Sequence, residues 1–161
     1  GGRWFNFGNH GTVSGSGPDY RHLLVQGTRR PLTFYMFNVE HARSEANAEF
    51  IDTRDVTLYA LKGETFQIGN PATGTRPLVV VRDSERFRML GAGGICGAAP
   101  GWPAYVYRFE NCPDIVVANT GHQLSRSLFG AAGTWSMLVD AWDGREVATP
   151  GHEHFVMYRR K

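Results

Sequence analysis

A short pattern of apolar and polar positions recurs through the middle of the chain. Each copy starts with an apolar residue and continues with Asp or Asn and then a small residue. Further apolar residues follow six and eight positions after the start, and each copy ends near Gly. The copies span residues 50–63, 81–94 and 109–122, so their starts are 31 and 28 residues apart. A period of this length is typical of a solenoid, in which each repeat is one coil that packs on the next.

The repeat predicts β-strands whose apolar side chains form columns inside a narrow tube. Successive side chains of a strand point to opposite sides, so the residues six and eight places after each start face the same way. The Asp or Asn would lie where the chain turns between strands, because its side chain bonds nearby backbone groups there. The two predicted columns are Val56, Phe87 and Ile115, and Leu58, Met89 and Val117.

These observations favour an all-β fold, a right-handed parallel β-helix of about three to four coils with flanking loops and a C-terminal cap. Unrelated strands of a β-sandwich are the alternative. We assign residues 31–122 to the coils, residues 1–30 to an N-terminal loop or cap segment with short strands, and residues 123–161 to a C-terminal capping segment. The tail is expected to cover one end of the solenoid, since a terminal coil exposes apolar side chains and strand edges.

Composition narrows the range of partners. The formal net charge is +2 over 161 residues, which makes no strong field for nucleic acid or for an anionic membrane. No apolar run approaches the about 20 residues that a membrane-spanning helix needs. Residues 1–4 include neither an initiator Met nor an apolar leader, so we expect a processed or internal start. Cys96 and Cys112 fit either a disulfide between coils or two buried thiols.

Two glutamates are the strongest candidates for chemistry. Glu40 and Glu64 are 24 positions apart, close to one coil, so they would lie on the same face of neighbouring coils. An aromatic-rich run, residues 34–37, precedes the first of them. Glycoside hydrolysis needs such a pair, because one carboxyl group donates a proton to the leaving oxygen and the other organises water or attacks carbon. On spacing alone, two solvated surface glutamates are the simpler interpretation.

The same stretch resembles glycoside hydrolase family 55, the exo-β-1,3-glucanases, which are built from parallel β-helices of the pectate-lyase-like superfamily. The resemblance rests on Glu40-His41, then Phe50, then Asp55-Val56, then the run Lys62-Gly63-Glu64-Thr65. It implies hydrolysis of a β-glucan by an inverting mechanism, with Glu64 as the general acid and Glu40 positioning the attacking water. It also implies a polysaccharide or oligosaccharide substrate and a protein that is secreted or periplasmic.

Further side chains complete the predicted site. Aromatic rings stack on sugar rings, and polar side-chain heads bond sugar hydroxyls. The expected substrate-binding residues are His41, Tyr35, Trp102, Tyr107 and Lys62. No cofactor and no metal are expected, because His152 and His154 in the tail supply only two ligands.

Two other functions stay open. A polysaccharide lyase on the same fold would use Arg, Lys or His as its base, and the candidates on successive coils are Arg54, Lys62, Arg82 and Arg86. A non-catalytic glycan-binding or structural β-helix, such as part of an adhesin or a tailspike, would need no base. For any of these functions, a further N-terminal β-helix portion or a second chain would be the partner that completes the cleft.

Overall fold

The chain folds as a parallel β-solenoid. A computed structural model describes residues 1–9, 19–42, 45–65, 77–96, 105–123, 133–151 and 157–161. These residues contain no helix, and their stacked parallel strands form a β-solenoid. The predicted all-β parallel β-helix is therefore confirmed. In the same ranges there is, accordingly, no helix with the length and apolar character to span a membrane.

The strands are short at the N-terminal end and longer in the central coils. In chain order, the described ranges contain β1 (Gly2–Phe5), β2 (Gly8–Asn9), β3 (Leu23–Gln26), β4 (Leu32–Tyr35), β5 (Asn38–Glu40), β6 (Ala48–Ile51), β7 (Arg54–Glu64), β8 (Val79–Arg82), β9 (Glu85–Ile95), β10 (Tyr105–Glu110), β11 (Ile115–Gln123), β12 (Ser136–Trp142), β13 (Arg145–Pro150) and β14 (Met157–Arg160).

The strands line three faces of the tube. The first face stacks β1, β4 and the first halves of β7, β9 and β11 in parallel register. The second face stacks β2, β5 and the second halves of the same long strands. The third face stacks β3, β6, β8, β10 and β12. Each long strand therefore bends from the first face into the second.

A left-handed residue makes that bend in every coil. Ala60 (φ 54°), Gly91 (φ 80°) and Asn119 (φ 56°) occupy equivalent positions in β7, β9 and β11. Met36 (φ 54°) and Asn6 (φ 53°) continue the column between the short strands of the first two coils. A left-handed backbone conformation is costly for residues such as Met and Ala. The stacking of neighbouring coils therefore determines the bend more than the residue type does.

The predicted Asp and Asn turns lie between the third face and the next coil. Asp52, Asp83 and Asn111 all have φ near +50°, a conformation that Asp and Asn adopt more easily than most residues. The small residue after each of them points inward and is buried. In two neighbouring turns, the hydroxyl group of Thr53 donates a hydrogen bond to Oγ of Ser84 at 3.0 Å. The turn prediction is confirmed, and the small residues link one turn to the next.

Both predicted core columns are present. Val56, Phe87 and Ile115 pair in register, as do Leu58, Met89 and Val117, and all six side chains are completely buried. Across the tube, the ring of Phe87 contacts Phe50 and Phe109 from the third face in edge-on geometry, with centroids 5.2 and 5.9 Å away. The interior is thus a continuous apolar stack that joins all the coils.

The C-terminal end of the solenoid is closed by antiparallel strands. Strand β14 pairs with β11, and β13 pairs with β12. Asp140 takes the inward position that Phe109 has in the coil before it, yet it is buried. It accepts hydrogen bonds from Arg160 and from Tyr158 at 2.9 Å. A buried carboxylate needs such partners, and these partners fasten the cap over the last coil.

The N-terminal end of the stack is open as far as the structure describes the chain. Strands β1, β2 and β3 form a first coil, and no other coil of the described residues packs on its outer side. Trp4 lies in the same column as Phe34 and Leu58 but is 54% exposed. A groove of about 390 Å³ opens beside it, with Phe7, Leu23, Val25, Leu32 and Phe34 among its lining residues. Within the described residues, this end therefore presents apolar surface and strand edges.

We expect the open end to bind a dye that fluoresces on apolar surfaces. Trp4→Ser should lower that fluorescence by about half or more, because it removes the largest exposed ring of the groove. Trp142→Ser is the matched control, since Trp142 is also partly exposed but packs against Arg160 at the opposite, capped end. Equal dye binding by the two variants would show that the groove is covered in solution.

The two cysteines are free and buried. The Sγ of Cys96 lies 3.3 Å from the carbonyl oxygen of Gly63, and that of Cys112 lies 3.1 Å from the carbonyl oxygen of Glu110. Burial raises the pKa of Cys112 to about 11 and also raises the pKa of Cys96. Of the two alternatives left open by the sequence, the structure has the buried thiols.

Candidate functional site

Glu40 and Glu64 lie side by side on the second face. They are register partners between β5 and β7, one rung apart, which corresponds to about 4.8 Å between their backbones. Their side chains are 7% and 15% exposed, respectively. Two neighbouring carboxylates with so little solvent exposure need a compensating positive charge.

Lys62 provides part of that charge. It precedes Glu64 by two positions on β7, so both side chains point to the same side of the strand. Its Nζ contacts Oε1 of Glu40 closely and Oε1 of Glu64 at 3.2 Å. Burial alone would lower the pKa of Lys62, but hydrogen bonds to the two glutamates outweigh it and raise that pKa. The ammonium group therefore stays protonated and bridges the pair.

His41 contacts the other oxygen of each carboxylate. Its Nε2 lies 3.2 Å from Oε2 of Glu40 and 3.5 Å from Oε2 of Glu64. The residue follows β5 directly and has a left-handed backbone, φ 63°, which is uncommon for a residue other than Gly. The imidazole is buried. Glu40, His41, Lys62 and Glu64, which we call the carboxylate cluster, therefore form one connected group.

The glycine between Lys62 and Glu64 makes this strand possible. Gly63 faces the interior, where an added Cβ would lie 2.3 Å from a methyl group of Leu78 and 2.5 Å from the carbonyl oxygen of Val39. In a packed core, neither neighbour can move far enough to make room for a Cβ atom. The Lys-Gly-Glu order thus points two polar side chains outward and places no side chain on the inner side of the strand between them.

The first coil and the following turn hold the cluster in place. Nε2 of His22 lies 2.6 Å from the backbone oxygen of Glu40, and the hydroxyl of Tyr20 lies 3.0 Å from Nδ1 of His22. After His41, the backbone N–H of Ala42 donates to Oδ1 of Asn47 at 2.9 Å. These supports were not predicted from the sequence. His22 and Asn47 contact backbone atoms, and no spacing of side chains signals such contacts.

The carboxyl separation limits the chemistry. One oxygen of each glutamate and the ring nitrogen of His41 all lie within 4.8 Å of one another. Retaining glycosidases place their two carboxyl groups about 5–5.5 Å apart, and inverting enzymes about 6.5–9.5 Å apart. The pair is thus closer to the retaining arrangement. It is also compact enough to hold a cation.

The other predicted substrate-binding residues lie elsewhere. Tyr35 is on the outer side of the first face, and its ring is stacked between Phe5 and Tyr59, with centroids 4.9 and 5.2 Å away. Both of its ring faces are therefore covered. Tyr107 is completely buried in the interior of the third face, which leaves it no surface for a ligand. Of the predicted binding residues that the structure describes, His41 and Lys62 are the two that lie beside the glutamates.

Three predicted positions lie outside the described residues. They are Trp102, His152 and His154. The segments that follow the strands of the second face, residues 66–76, 97–104 and 124–132, lie outside them as well. The described part of the site is consequently the carboxylate cluster and its supports.

Comparisons with known protein families, with curated proteins and with solved structures gave no significant match. The likeness to glycoside hydrolase family 55 therefore rests on the motif residues of this chain alone. The parallel β-helix is the part of that likeness which the structure confirms.

Proposed function

We propose that the chain hydrolyses glycosidic bonds of a β-glucan and that Glu64 is the proton donor. The observation that carries this proposal is the register pairing of Glu40 with Glu64, which places two shielded carboxyl groups one rung apart. Paired carboxyl groups are the shared requirement of most glycoside hydrolases. We further propose that the protein acts outside the cell or in the periplasm, where such polymers are found.

The remaining cluster residues have positioning roles in this proposal. Lys62 has a side chain that is 49% exposed, so a sugar hydroxyl can approach it. His41 lies against both carboxylates and fixes their orientation. Glu40 is the more buried of the two glutamates, and it would orient the attacking water or attack carbon itself.

Two observations favour different stereochemical outcomes of the hydrolysis, inversion and retention. The resemblance to family 55 implies inversion, with Glu40 positioning a water. The carboxyl oxygens within 4.8 Å of each other are nearer to the separation used for retention. The anomeric configuration of the first product, followed by NMR, distinguishes the two.

A lyase reaction has weaker support. β-Elimination needs an unprotonated base, whereas the hydrogen bonds of Lys62 keep it protonated. The three arginines considered for that role are engaged in ion pairs with carboxylates. The pairs are Arg54 with Glu85, Arg82 with Glu49 and Glu110, and Arg86 with Asp55.

A panel of β-glucans and uronate-containing polysaccharides tests the function. The proposal expects new reducing ends from a β-1,3-glucan and no ultraviolet absorbance. An unsaturated product that absorbs in the ultraviolet would indicate a lyase instead. Binding without turnover on any polymer would favour the non-catalytic alternative, a glycan-binding or structural β-helix.

The open first coil supports a proposal about partners. Its apolar groove and free strand edges suit a further β-helix portion of a longer polypeptide, or a second chain, that continues the stack. Such a partner would lie next to the strands that support Glu40, because β2 pairs with β5. It would therefore help to complete the cleft.

A further inference from the structure

We propose that Glu40, His41 and Glu64 bind a divalent transition-metal ion of the Zn²⁺ type. The two ligand-to-ligand distances that involve the imidazole are 3.2 and 3.5 Å. A tetrahedral Zn²⁺ with bonds of about 2.0–2.1 Å separates its ligands by about 3.3 Å. One nitrogen and two carboxylate oxygens, all within 4.8 Å of one another, would supply three ligands of such a site.

The division of the carboxylate oxygens leaves room for the ion. Lys62 contacts Oε1 of both glutamates, whereas His41 faces Oε2 of both. The ammonium group and the ion would therefore use different oxygens. Carboxylates that bind a metal are commonly hydrogen-bonded through their remaining oxygen, which orients them. In the carboxylate cluster, Lys62 would provide this hydrogen bond to the remaining oxygen of each glutamate.

The contacts of His41 suit a metal ligand better than an ion-pair donor. Charge-assisted N–H···O bonds are about 2.7–2.9 Å long, and both distances from Nε2 to the carboxylates are longer. A single N–H also points at one acceptor, while Nε2 faces two oxygens. A cation between the three atoms satisfies both carboxylates at once.

The scaffold presents these ligands in a fixed arrangement. Glu40 and Glu64 are held one rung apart by strand pairing, and the left-handed backbone of His41 directs its ring at them. All three are largely shielded from water. Preorganised ligands lose little conformational entropy on binding, which favours affinity.

The ion would also regulate the proposed hydrolysis, and this part rests on the proposed function. A metal on Oε2 of Glu64 competes with the proton that Glu64 must donate. Zn²⁺ should therefore inhibit turnover, and a chelator should restore it.

Titration calorimetry of the metal-free chain with ZnCl₂, without any glycan, tests the site. One ion per chain is expected. CaCl₂ at the same concentrations should give no comparable binding, because Ca²⁺ prefers six to eight oxygen ligands. Glu40→Gln, Glu64→Gln and His41→Asn should each weaken Zn²⁺ binding by about 10-fold or more. Asn is chosen for position 41 because it tolerates a left-handed backbone.

Two control variants locate the ion. Glu146→Gln removes an exposed carboxylate on β13, and the double variant His152→Gln, His154→Gln removes the imidazoles of the tail. Both should bind Zn²⁺ as the parent chain does. Binding that survives all three cluster variants, or that disappears with the tail histidines, would overturn the proposal. So would equal affinity for Ca²⁺.

Co²⁺ provides a measurement that needs no variant. Its visible absorption should change and intensify when the parent chain supplies nitrogen and oxygen ligands in a four-coordinate site. A spectrum identical to that of aqueous Co²⁺ would overturn the proposal even if a cluster variant failed to fold. Zn²⁺ binding without turnover would leave the metal site standing and remove the hydrolase. Turnover by a chain that binds no Zn²⁺ would leave the hydrolase standing and remove the metal site.

Discussion

Phe87→Ala is expected to lower the free energy of unfolding by about 3–5 kcal/mol. Phe87 is completely buried, stacks in register between Val56 and Ile115, and contacts the rings of Phe50 and Phe109 across the tube. Its removal leaves a cavity at the point where two faces and three coils meet. Domains of this size have total stabilities of only about 5–15 kcal/mol, so the loss is large enough to measure by denaturant titration.

A surface truncation is the control for this loss. Val147→Ala shortens a side chain on β13 that is more than half exposed, and it should change stability by less than about 0.5 kcal/mol. A loss of that small size for Phe87→Ala would mean that its column is not packed in solution as it is in the structure.

Much of the fold could be predicted because its physics repeats in the sequence. Strand alternation fixes which residues face inward, so Val56, Phe87 and Ile115 were recognisable as a column. Asp and Asn adopt left-handed turns at low cost, so Asp52, Asp83 and Asn111 marked the turns. Both signals are local, and both recur in phase.

The first coil could not be read in this way. Strands β1, β2 and β3 have four, two and four residues, which is too short for an alternating pattern to stand out. The left-handed corner is also hidden, because Met36 and Ala60 occupy it without any turn-forming side chain. Their conformation comes from stacking on neighbouring coils, and that information lies outside the local sequence.

The site was partly predictable for similar reasons. A spacing close to one coil identified Glu40 and Glu64, and adjacency drew attention to His41 and Lys62. Tyr107 was misleading as a candidate, because an aromatic residue in a half-buried strand points inward or outward according to register alone. The support from His22 leaves no pattern, since it binds a backbone oxygen 18 residues away.

Glu64→Gln is expected to lower kcat on β-1,3-glucan by about 10²–10⁴-fold. The amide has nearly the same shape as the carboxyl group but carries no proton that it can donate to the leaving oxygen. Its oxygen can still accept the hydrogen bond from Lys62, which contacts Oε1 of Glu64 at 3.2 Å, so the cluster should keep its arrangement. Binding of the glucan, measured by calorimetry, should therefore change little.

Glu40→Gln and Glu146→Gln complete this experiment. Glu40→Gln should also reduce kcat, because the second carboxyl group is needed to orient water or to attack carbon. Glu146→Gln alters an exposed carboxylate that pairs with Arg108 at 3.2 Å on the third face, and it should leave turnover unchanged. Unchanged turnover in Glu64→Gln would remove this residue as the acid. Equal losses in Glu64→Gln and Glu146→Gln would indicate a general effect of lost charge, and the register pair would then be a structural ion cluster.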